Sequence, residues 1–108
     1  MLMTRPIAER AGYITLTGFA DKEGEQFASF CRELGTASCG ETLEEAFENL
    51  RDAVRVHLDA LAETGELYRF LRDKGVRIEK SRSKGPQSLS VPPEKILIIF
   101  RARVPLSA

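Results

Sequence analysis

One stretch decides the fold: "CGETLEEAFENLRDAVRVHLDAL", Cys39 to Leu61. Thr42 is followed three residues later by Glu45, the spacing of a capping box, in which a hydroxyl and a carboxylate satisfy the orphan backbone donors of a helix start. Glu41, Glu44 and Glu45 place negative charge at the positive end of the helix dipole. Behind this start Leu43, Phe47, Leu50, Val54, Leu58 and Leu61 recur at three- and four-residue steps, and Ala46 and Ala53 widen the stripe. Gly65 is a natural stop. The spacing predicts a helix from the Thr42 cap to Thr64, about six turns and roughly 33 Å long. Such a helix is apolar on one side only and has to cover something.

Strand signals on either side say what it covers. "YITLTGF", Tyr13 to Phe19, alternates and carries β-branched residues. "DKEGE", Asp21 to Glu25, reads as a polar turn around Gly24. "QFASFC", Gln26 to Cys31, and "TASC", Thr36 to Cys39, follow as a second and a third strand, so the three make an antiparallel meander. After the long helix, "ELYRFLRDKG", Glu66 to Gly75, reads as a shorter one with Leu67, Phe70 and Leu71 inward. Ser, Gly, Pro and Lys dominate Lys80 to Glu94, a flexible loop with room for a ragged strand around Ser88 to Val91. "KILIIFRARV", Lys95 to Val104, is a final strand. The expected fold is α+β: a three-stranded antiparallel meander plus a C-terminal strand, spatial order 3-2-1-4, with a long and a short helix over one face. Because the chain crosses the sheet by helix, the last strand is expected parallel to the first, through a right-handed connection. So apolar a strand at a sheet edge invites pairing with another chain, and a homo-oligomer with that strand near its interface is expected.

Length and composition set the outer bounds. The 108 residues suit a single domain spanning 1–108. Hydrophobic content of 43% with 30% charged residues is ordinary for a soluble globular chain. No apolar run approaches the ~20 residues that span a bilayer, and "MLMTRPIAERAG" has no signal-peptide core, so a cytoplasmic protein without membrane partners is expected. Cys31 and Cys39 fit that compartment as reduced thiols, and a disulfide across a hairpin stays open as the alternative. Two thiols and His57 lack the spacing of a structural zinc site. The net charge is zero, yet Met1–Glu66 holds six Lys/Arg against thirteen Asp/Glu, whereas the rest holds ten against three. Either both ends are solvated surface, or the acidic part faces a basic partner.

From Phe27 through Leu61 the sequence resembles the HicB-like antitoxin family. The residues that carry the resemblance are Glu33, Leu34, Gly40, Glu41, Thr42, Glu44, Glu45, Ala46, Asn49, Leu50, Ala53 and Val54, with an aromatic strand ahead of them. Arg32 stands where the family often has proline. The resemblance implies a partial RNase H-like fold in a small antitoxin that binds and blocks a basic RNA-cleaving toxin of the HicA type. A shared scaffold does not imply shared chemistry. RNase H catalysis needs carboxylates clustered on the sheet around metal ions, and the three meander strands carry none.

Other chemistry is thin. His57 could serve Cys31 or Cys39 as a base, but helical spacing puts it at the flank of the stripe, where a hydrogen-bonded structural histidine is the commoner outcome. Asn49, off the stripe, suits a bond to nearby backbone. No Gly-rich phosphate loop or acid/base pair stands out, so no catalytic residue, metal or cofactor is assigned and no enzyme is expected. The candidate partner-binding residues are Asp21, Glu23 and Glu25 in the first turn, and Glu44, Glu48 and Asp52 on the helix. The alternative is a stand-alone oligomeric regulator that binds nucleic acid through Arg69, Arg72, Lys74, Arg77, Lys80, Arg82 and Lys84, although few aromatics interleave them for stacking.

Overall fold

A computed structural model describes residues 11–79 and 96–105. Alternating residues form β1 (Ala11–Glu23), which turns through Gly24 and Glu25 into β2 (Gln26–Cys31); β3 (Ala37–Gly40) follows. The long helix α1 (Leu43–Glu63), the short helix α2 (Leu67–Asp73) and β4 (Ile96–Pro105) complete the order. One four-stranded sheet runs β3-β2-β1-β4, and every pairing is antiparallel. The α+β architecture and the strand order are as the sequence predicts. The helical stripe packs on one face of the sheet: Leu50 and Val54 are buried against Ile14, Leu16 and Phe100, and Leu67 and Leu71 of α2 extend the same core.

Two readings are corrected. The expected turn over Asp21–Glu25 shrinks to Gly24 and Glu25, because the ladder runs on through Asp21↔Ala28 to Glu23↔Gln26. Gly24, at φ 62°, takes the first central position of a two-residue hairpin that favours glycine there. Asp21 and Glu23 are therefore strand residues, and the meander, read as free of carboxylates, carries these two because β1 runs on past Phe19. The second correction is the direction of β4, which runs antiparallel to β1 rather than parallel. Past α2 the chain pairs Glu79 with Tyr13, near the start of β1, through both backbone bonds at 2.8 Å. It re-enters the sheet at Ile96 opposite Ala20, roughly 23 Å along the strand at ~3.3 Å per residue. The helices alone would deliver the chain to the Tyr13 end and give a parallel strand. Ile96 instead enters at the Ala20 end, so β4 runs back toward Ala11. The loop expected over Lys80–Glu94, with its ragged strand, lies outside the described residues.

The joint between β3 and α1 is built from the residues read as the helix start. The Glu45 N–H donates to the Thr42 hydroxyl (3.0 Å), and the Glu45 carboxylate accepts from the Glu41 N–H (2.7 Å), one residue earlier than a standard capping box. Gly40 lets the helix approach this closely, since a Cβ there would lie 2.5 Å from the Ala46 nitrogen. Ser29 on β2 donates its hydroxyl to the Ala46 carbonyl (2.8 Å). The other end of α1 closes with a Schellman pattern, Glu66 N–H to the Leu61 carbonyl and Gly65 N–H to the Ala62 carbonyl.

Candidate protein-binding surfaces

α1 runs from the hairpin end of the sheet to its opposite end: Asn49 reaches Cys39, and two turns later His57 meets Thr36. The β1–β2 turn and the first turns of α1 therefore share one end of the molecule. Glu23 and Glu25 at the hairpin tip and Glu41, Glu44, Glu45 and Glu48 at the helix start are all exposed there. Lys22 is the one basic residue in the two stretches 21–26 and 40–50, and its ammonium lies 5.9 Å from the Phe27 ring centroid.

Among the six candidate acids, Glu23, Glu25, Glu44 and Glu48 are exposed at this end, with Glu23 on the sheet face turned away from the helices. Asp21 shares it but is half-buried on the sheet face turned away from the helices, as the pairing with Ala28 dictates. Asp52 continues the Glu44–Glu48 line at four-residue spacing yet sits a turn beyond, beside Arg55 at 3.7 Å with both side chains exposed. So exposed a pair is worth only a few tenths of a kcal/mol, about 0.2–1 at most.

The thiols and the histidine take structural places. Cys31 is buried on the helix-covered face, opposite Gly18, whereas Cys39 is exposed on the other face, opposite Ala28; both are free. Burial pushes the Cys31 thiol up, offset in part by backbone bonds from Leu34 and Glu33. His57 is half-buried, with Nδ1 3.3 Å from the Thr36 hydroxyl and its ring edge-on to Phe70. Of the basic run, Arg69 bridges Glu66 at 2.6 Å and Lys74 lies over Phe70; Lys80, Arg82 and Lys84 lie outside the described residues. Among the described residues no group of three or more His, Cys, Asp or Glu is placed to hold a metal, and no helix is long and apolar enough to cross a membrane.

Two features escape the sequence patterns. Glu33 takes the place of a strand partner where β2 has ended: its carboxylate accepts the Thr17 N–H (2.8 Å) and hydroxyl (2.9 Å). The second is a groove of about 690 Å³ between α1 and β4. Val54, Leu58, Phe100 and Val104 form its apolar floor, and Arg51 and Arg55 stand on its rim, with Arg51 5.7 Å from the Phe100 ring centroid.

No family model, curated protein or solved structure matches this chain.

Proposed function

We propose that this chain is an antitoxin-like protein-binding module, which acts in the cytoplasm as a homo-oligomer and neutralises a small basic RNA-cleaving toxin of the HicA type. The observation that carries the reading is the acidic end, where hairpin and helix start present Glu23, Glu25, Glu44 and Glu48 with little opposing charge. A toxin that cleaves RNA needs positive charge for phosphates. Carboxylates held on a rigid hairpin and helix compete for that surface and steer the encounter. The resemblance to HicB-like antitoxins supports the same reading, and its residues build the β3–α1 joint from which the acids project: Gly40 by close approach, Thr42 and Glu45 by capping, Asn49 by its bond to Cys39.

The test is capture from the source cell with the tagged chain. A small basic protein should co-purify, and its RNA cleavage should fall as the chain is added back to equal molar amount. The chain alone should leave RNA intact with magnesium or manganese. Capture of no basic protein, or a captured protein whose cleavage is unaffected, contradicts the proposal.

A further inference from the structure

We propose that the groove between α1 and β4 binds an amphipathic carboxylate, one anionic head on an elongated apolar body, with the head at Arg51 and the tail over Leu58 and Val104. The site lies apart from the acidic end, so it stands or falls independently of the reading above. Its volume of about 690 Å³ falls within the range of small-ligand pockets, about 300 to 1,000 Å³. The floor is apolar because two inward-facing rows meet there. Val54 and Leu58 come from the stripe of α1, and Phe100, Ala102 and Val104 are the positions of β4 opposite Leu16, Ile14 and Gly12 on the helix-covered face. Ala102 sets the smallest side chain of its row between two larger ones, which leaves a dip for an apolar chain.

The charged side chains at the groove come from α1 and are ordered along it. Arg101 and Arg103 border it as well, but opposite Thr15 and Tyr13 their side chains belong to the other face of the sheet. The Arg51 guanidinium lies 5.7 Å from the Phe100 ring centroid. The ring shields part of the cation and fixes its place at one end of the floor, and the fork of N–H donors suits a carboxylate bidentately. Among the described residues no carboxylate lies within ion-pair reach of Arg51. Arg55, one turn on, touches Asp52 through a single nitrogen at 3.7 Å. Asp59 stands at the other end of the groove, eight residues after Arg51 and so ~12 Å along the helix axis. A second anionic group on the ligand would meet that carboxylate. The order of cation, apolar floor and anion therefore sets the direction of the ligand and limits it to one negative head.

Decanoate, decanol and decyltrimethylammonium share an apolar body and differ in the head, so they probe the site in the full chain. Titration calorimetry below the micellar range should find one saturable decanoate site, with decanol about tenfold weaker and the cation weaker still. Decanoate should shift the backbone amide resonances of Val54, Leu58, Phe100 and Val104. Arg51→Gln, at an exposed position, should keep the parent circular dichroism, weaken decanoate about tenfold and leave decanol unchanged. Arg72→Gln, which removes an exposed arginine on α2, should leave decanoate binding as it is. Absence of saturable decanoate binding would mean that the groove is filled by the chain itself or by a second copy, and overturns the proposal. It is equally overturned if decanol binds as tightly as decanoate, if the two arginine variants respond alike, or if the shifts fall on other parts of the molecule.

Discussion

On the β3 side the sheet ends in four residues lying under α1; on the β4 side it ends, among the described residues, in a strand of ten. At β3 the outward positions are 37 and 39, because Cys31 N–H bonds Thr36 and the inward pairs are Ser29↔Ser38 and Phe27↔Gly40. The outward Cys39 carbonyl is taken by the Asn49 amide at 2.9 Å. The helix that covers the core thus also takes one outward carbonyl of this edge, through one side chain. At β4 the same helix leans away and leaves the arginine-rimmed groove. The difference shows how one helix can lie close on a sheet at one side and leave a groove at the other.

Four substitutions probe how that helix is held, in falling order of effect. Leu50 is fully buried at the centre of the stripe and packs over Gly18. Leu50→Ala should therefore cost about 2–5 kcal/mol, read as a lowered denaturant midpoint. Gly40→Ala forces a Cβ against the backbone of the first helical turn, which cannot yield as a flexible side chain would. A loss of about 1–3 kcal/mol is expected, as for other overpacked sites; an unchanged midpoint would mean that helix and strand are not in contact there. Asn49→Ala uncaps the Cys39 carbonyl and should cost about 1 kcal/mol, measured by the same titration. In hydrogen exchange it should loosen β3 and leave β4 untouched. Glu48→Ala, on the solvent side, should stay within about 0.5 kcal/mol of the parent. Equal midpoints for Leu50→Ala and Glu48→Ala would mean that the stripe faces elsewhere.

What was legible in the sequence was local. The capping residues, the stripe and the three short-range strands each write their geometry within a few residues, and helix α1 appears with Thr42 as its cap. The direction of β4 was not legible. An apolar run such as "ILIIF" carries no arrow, and its sense depends on which end of β1 it enters, here the Ala20 end. Glu33 was read as part of a motif, but its bond to Thr17, sixteen residues away in sequence, follows from where β2 stops, which no periodicity records. The candidate acids were legible as charge. Their separation into a clustered end and an outlying Asp52 paired with Arg55 required the path of α1. The groove was illegible for the same reason: Arg51 and Phe100 meet only once β4 lies beside β1.

The central claim is that the acidic end meets a basic partner. The most direct test is the triple variant Glu44→Lys, Glu48→Lys, Asp52→Lys, compared with the parent for its association rate with the captured basic protein at low and high salt. Exposed charges act over a Debye length of ~8 Å at physiological salt. The parent should associate fast at low salt and slow as salt rises, whereas the triple variant should be slower at low salt and nearly insensitive to it. A triple variant that binds as fast as the parent, with the same salt dependence, would contradict the account.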